Sequence, residues 1–190
     1  MTKVMNDKNV VMLRNVRCNF PRVHAPEVNQ LSGKSEYSIV VMIPENDPQV
    51  EGLKAAMQEV WVKKFGPEKG PKKLKAALDS KNTRFLHYDD ENGYYKLNLK
   101  RKEADGAPRV LDRNKAPLDA SSGKPYGGCY INVQFHMWVY DKQSTGTSAT
   151  LLGVQFAADG EPFGGSVQPS DKDFDDLSND GNGEQDPFTF

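Results

Sequence analysis

Cysteine and histidine are scarce in this chain. Among 190 residues there are two cysteines, Cys18 and Cys129, and three isolated histidines, His24, His87 and His136. They form neither a disulfide framework nor a C-x-x-C pair, and no metal-ligand spacing appears. This excludes a disulfide-stapled secreted module and a zinc module. We therefore expect no metal or other cofactor, and an intracellular, reducing compartment.

Long apolar runs and catalytic motifs are also missing. No stretch of about 18 apolar residues occurs, so no membrane-spanning helix is expected. The N-terminal MTKVMNDKNVV lacks the apolar segment of a secretory signal. No Walker-type phosphate loop is present, and no serine or cysteine lies beside a histidine in a nucleophile motif. The sequence therefore favours a cytoplasmic, non-enzymatic protein.

The chain has no overall excess of charge, but its charge is unevenly distributed. It contains 25 basic and 26 acidic residues, and residues 171–190 hold seven of the acids with one base, Lys172. The body is therefore about +5 and the tail about −6. We expect one ordinary domain over residues 1–170 and a disordered acidic tail over 171–190, because the tail cannot bury enough apolar surface to order itself.

The tail ends in an apolar tip. Acidic disordered arms are usually interaction segments, although a plain solubility tail has a similar composition. Two phenylalanines at the tip are suited to anchoring in a pocket of another protein. The candidate partner-binding residues are Asp175, Asp176, Asp186, Pro187, Phe188 and Phe190.

Alternating apolar residues predict a mainly β fold. The main strands are predicted at Asn9–Phe20, Glu36–Ile43, Tyr94–Arg101, Cys129–Asp141 and Thr147–Ala158, with short strands at Phe85–Tyr88 and Val110–Leu111. The alternation slips near Asn15, which predicts a bulge. Asp47-Pro48 begins a helix that ends at Gly66, and a shorter helix covers Pro71–Leu78. Five main strands with helices at one position predict a five-stranded antiparallel barrel with a helical insertion.

The strand Cys129–Asp141 carries an unusual polar face. It has aromatic residues, amides and a histidine but no charge, as expected of a surface on which bases of a single strand stack. Packing of Trp138 and Tyr140 under the long loop 103–128 is the alternative. Aromatic and basic residues of other segments are added to those of this face. The candidate DNA-binding residues are then Tyr94, Lys96, Lys100, Arg109, Arg113, Tyr126, Tyr130, His136 and Trp138.

Two segments, 127–133 and 152–165, together with the acidic tail, resemble phage single-stranded-DNA-binding proteins with an OB-fold. The resemblance implies a protein that coats single strands without sequence preference in phage replication, recombination and repair, in the host cytoplasm. It also implies that the tail recruits replication or recombination proteins and competes with DNA. Two departures are the Phe-Thr-Phe ending and the helices, which fall between the second and third strands.

Two other functions stay open from sequence. Asp89, Asp90 and Glu91 suit a metal-dependent nuclease, although acids are common in such turns. A protein-interaction or inhibitor domain whose acidic tail mimics DNA is the second alternative.

Overall fold

A computed structural model of the chain describes residues 4–30, 33–79 and 85–163. The predicted tail, with its partner-binding residues, lies outside the described residues. Within them, no helix is long and apolar enough to cross a membrane.

The described residues form seven strands and two α-helices. In chain order they are β1 (Val10–Val28), β2 (Ser35–Pro44), α1 (Pro48–Phe65), α2 (Lys69–Asp79), β3 (Leu86–Asp89), β4 (Tyr94–Lys102), β5 (Arg109–Leu111), β6 (Tyr130–Asp141) and β7 (Thr145–Ala158). Two short 3-10 helices, Glu103–Asp105 and Ala120–Ser122, lie in the loop between β4 and β6.

Five of the strands close into a barrel. Neighbours run in the order β1, β2, β4, β7, β6 and back to β1. All of these pairings are antiparallel except β4 with β7, which is parallel at Lys100 and Thr150. The short strands extend the sheet, β3 beside β4 and β5 beside β7. The predicted OB-fold-like barrel is confirmed, and so is the position of the helices between its second and third strands.

Strand β1 is bulged and longer than predicted. Its pairing with β6 shifts between Leu13 and Val16, and Asn15 has a φ of 51°, which confirms the bulge. The predicted end at Pro21 is wrong, since the strand continues to Val28. The pairing with β6 ends at Arg17, and the pairing with β2 skips from Asn19 to Arg22. Pro21 therefore falls where the ladder needs no N–H donor.

The first helix packs on the barrel core. Asp47 caps it by accepting from the backbone N–H of Gln49 at 2.8 Å, and Pro48 occupies the first turn. Trp61 is fully buried, and its indole Nε1 donates to Thr147 Oγ1 at 2.9 Å. This bond satisfies a polar group that would otherwise be costly to bury. The same core holds the inward residues of the barrel, among them Leu13, Leu99 and Phe135.

Candidate functional site

A groove runs over the outer face of β1, β2 and β4. The register places Asn19, Val40 and Asn98 side by side on these three strands. Two adjoining depressions, of about 560 Å³ and about 970 Å³, share Phe20, Val40, Asn98 and Lys100. We call their combined surface the central groove.

Phe20 is the most exposed aromatic side chain along the groove, at 63 %. Its φ of 46° is in the left-handed region, and its N–H donates to the Asn19 side chain at 2.9 Å. A bulky residue held there is strained, and such strain concentrates at functional sites. Phe20 was not among the predicted site residues because it stood at the predicted end of a strand. Pro21, directly after it, was the available sign of a bulge, since a proline within a sheet is confined to edges and bulges.

Lys96 and Lys100 lie on the outward face of β4, within the central groove, with Asn98 between them. Strand geometry puts them about 13 Å apart. Each makes an ion pair: Lys96 Nζ lies 2.5 Å from Asp89, and Lys100 Nζ lies 3.3 Å from Glu36. Both lysines are thus held on the outward face of β4, where their ammonium groups are available to phosphates.

Trp138 lies beyond one end of the groove. It is 40 % exposed, its ring lies 6.2 Å from that of Tyr140, and the depression that it lines includes no described residue of the long loop 103–128. Tyr140 lines the central groove and also a depression of about 610 Å³ that Trp138 shares with Lys64 and Lys142. Tyr140 therefore connects the groove to an aromatic and basic surface at the β6–β7 hairpin.

Other predicted residues lie outside the central groove. Tyr94 is at the start of β4, opposite Pro44 and Asp89. Arg109 begins β5 beside Gly153, and Arg113 follows that strand. His136 faces outward on β6 between Val10 and Thr150. The structure does not bring these four side chains together, and their roles stay predictions.

Tyr126 and Tyr130 belong to a surface beside the end of the described chain. The Tyr126 hydroxyl donates to Asp159 Oδ1 at 3.0 Å and accepts from the Gly160 N–H at 3.1 Å. The Arg17 guanidinium carbon lies 5.6 Å from the centre of the Tyr130 ring. These contacts give Tyr126 a structural role in holding segment 159–160, and neither ring lines the central groove.

Arg17 ties the end of the described chain to β1. Its Nε donates to the Gly128 carbonyl at 3.1 Å, and another guanidinium nitrogen donates to the Glu161 carbonyl. Arg17 also pairs in register with Met42, which lines the central groove. The last described residues, 161–163, therefore lie against β1, beside the groove.

The acidic turn does not form a metal site with the described residues. Asp89 is engaged by Lys96 and by the Asn92 amide at 3.0 Å. These bonds stabilise the carboxylate and hold the pKa of Asp89 below its usual range. No group of three metal-ligating side chains is found in the described part of the chain.

Comparison with known proteins identifies the relatives of this sequence. The model of a family described as "Enterobacter phage Enc34, ssDNA-binding protein" matches residues 9–186. "Putative protein p50" of Acyrthosiphon pisum secondary endosymbiont phage 1 is 35% identical over 176 residues, which cover 88% of this chain and 94% of the relative.

Solved structures share the fold. The single-stranded DNA-binding protein from bacteriophage Enc34, in complex with ssDNA, matches with a TM-score of 0.66 and 19% identity, covering 86% of this chain and 96% of that one. The single-stranded DNA-binding protein gp2.5 of bacteriophage T7 matches with a TM-score of 0.54 and 14% identity, covering 83% and 90%. At these identities the likeness concerns the architecture.

Proposed function

Because the chain belongs to the Enterobacter phage Enc34 ssDNA-binding protein family, we propose that it binds single-stranded DNA along the central groove. The family is one of DNA-binding proteins, a non-enzymatic class, so no catalytic step is assigned. The observation that carries the proposal is Phe20, an exposed ring held on a strained backbone in a groove that also displays Lys96 and Lys100.

The chemistry of the groove fits a single strand. Every base has a π-face, so stacking on Phe20 tolerates any sequence, while the lysines attract phosphates. The bound DNA strand continues over Tyr140 to Trp138, where Lys64 and Lys142 supply further positive charge. We expect little sequence preference, because stacking and phosphate contacts do not require hydrogen bonds to the edges of particular bases.

We further propose that the acidic tail competes with DNA for this groove and recruits replication or recombination proteins through Phe188 and Phe190. The supporting observation is that Glu161 and Phe163, at the end of the described chain, contact Arg17 beside the groove. A chain of about 27 residues without fixed structure has a root-mean-square end-to-end distance of about 30 Å, enough to cover the groove. The wider setting is phage DNA replication, recombination and repair in the host cytoplasm.

Binding of labelled oligonucleotides over a salt series tests the proposal. We expect tight binding of single strands, weaker binding of the matching duplex, and a log affinity that falls with log salt by about 0.7 per phosphate neutralised. Absence of binding by both the intact chain and a variant without 171–190 contradicts the proposal and favours the inhibitor alternative. Cleavage of the strand with magnesium present favours the nuclease.

A further inference from the structure

The two lysines of the central groove are held in the same way. Asp89 accepts from the Asn92 amide at 3.0 Å and contacts Lys96. Glu36 accepts from the Asn29 amide at 3.1 Å and contacts Lys100 at 3.3 Å. In both places an amide fixes a carboxylate, and the carboxylate lies beside the ammonium group of a groove lysine.

Burial differs between the partners of each pair. The side chains of Asp89 and Glu36 are only 12% and 16% exposed, whereas those of Lys96 and Lys100 are 36% and 47% exposed. The carboxylates are therefore fixed parts of the surface, and the ammonium groups face the solvent that DNA would replace. Because the ammonium side of each pair stays in contact with solvent, the lysine can exchange its carboxylate for a phosphate.

We propose that Asp89 and Glu36 act as built-in competitors of DNA phosphates and so limit the affinity of the central groove for single strands. The inference rests on the proposed function of that groove. When DNA binds, each lysine exchanges its carboxylate for a phosphate. The release of the strand is favoured because the carboxylate stays in place to recapture the lysine.

This exchange also affects the salt dependence. A phosphate that binds a lysine releases counterions, but the freed carboxylate takes up a cation from solution and offsets part of that release. The slope of log affinity against log salt is therefore shallower than two free lysines would give. Removing one carboxylate should steepen the slope by up to about 0.7.

The test is the binding of a labelled oligonucleotide to the full chain and to Asp89→Asn and Glu36→Gln, over a salt series. Each variant keeps an oxygen for its amide anchor and removes one negative charge. We expect each to bind about two- to tenfold more tightly, with a steeper salt slope. Because the two sites lie at different lysines, a folding defect in one variant leaves the other informative.

Two controls separate the local effect from a change in net charge. Glu51→Gln removes the same charge from α1, where Glu51 contacts Lys54 at 3.0 Å outside the groove, and should leave affinity unchanged. Asp89→Asn in a Lys96→Gln background should give no gain, because the competing pair is absent.

The outcomes are distinct. If the wild-type chain does not bind single strands, the proposed function fails. If it binds, but Asp89→Asn and Glu36→Gln leave affinity unchanged or weaken it, the carboxylates position the lysines and the inference is wrong. An equal gain for Glu51→Gln also overturns it, since the effect then comes from net charge.

Discussion

The Arg17 guanidinium lies 4.2 Å from the centre of the Phe163 ring, at the end of the described chain. Arg17 and Phe20 belong to the same strand, so the end of the described chain lies against the strand that supplies the exposed ring of the central groove. We propose that the tail is thereby attached near the groove, where a short flexible link would hold it at an effective concentration in the millimolar range.

Deletion of residues 171–190 should therefore strengthen binding of single strands. The reason is removal of an attached competitor whose charge is opposite to that of the body. Affinity is measured with a labelled oligonucleotide at low and moderate salt, and the gain should shrink as salt rises. Phe188→Ala with Phe190→Ala is the matched control, since it keeps the acids and should change affinity little. Equal affinity of the deleted and intact chains would falsify competition by the tail.

Phe20→Ala should weaken binding by about 1–3 kcal/mol, the range for loss of one stacked base. Because the side chain is 63 % exposed, the melting temperature should change little. Phe20→Tyr keeps the ring and serves as the control, with affinity near that of the wild type. A Phe20→Ala variant that binds as tightly as Phe20→Tyr would mean that the base does not stack there.

Tryptophan fluorescence can show whether the strand reaches the hairpin. The chain has two tryptophans; Trp61 is buried, whereas Trp138 is 40 % exposed. Stacking of a base on Trp138 should quench its emission when oligonucleotide is added. Trp138→Phe should abolish the quenching and keep most of the affinity. Persistent quenching in that variant would show that the signal comes from Trp61 and that Trp138 lies off the path.

Lys96→Gln and Lys100→Gln should each lower affinity and reduce the salt slope by up to about 0.7, since one phosphate contact is lost in each. The reduction is smaller if the paired carboxylate already offsets part of the counterion release. Titrations at four or more salt concentrations give the slope. Lys54→Gln, on α1 outside the central groove, is the control for charge. Slopes that match the wild type would remove these lysines from the interface.

Thr147→Val should destabilise the fold by about 1–3 kcal/mol, because it leaves the buried indole N–H of Trp61 without its acceptor. Thr147→Ser keeps the hydroxyl and should cost less. Urea unfolding followed by circular dichroism measures the difference. Equal stability of the two variants would mean that another acceptor satisfies the indole.

Much of the barrel follows from local pattern. The alternation of apolar residues in β6 puts Ile131, Val133 and Phe135 on one face of the strand, and the structure buries all three. Asp47 and Pro48 predicted the start of α1 because capping chemistry acts over a few residues. The end of β1 was missed because its continuation past Pro21 depends on which edge of the strand is paired, and that is set by distant residues.

The candidate site was only partly predictable. Lys96 and Lys100 were identified because basic residues on the polar face of a strand are visible in the sequence. Phe20 was not, since its exposure results from a bulge between Asn19 and Arg22. The pairing of Glu36 with Lys100 joins residues far apart in the chain, so no local pattern reports it.

The sequence by itself determined the position of the main strands, the start of α1 and the uneven distribution of charge along the chain, since these depend on neighbouring residues and composition. Only the tertiary structure decided which side chains share the central groove, which carboxylates hold its lysines and where β1 ends. Closure of the barrel brings together strands separated by more than a hundred residues, and the contacts made there depend on register and bulges rather than on any single segment.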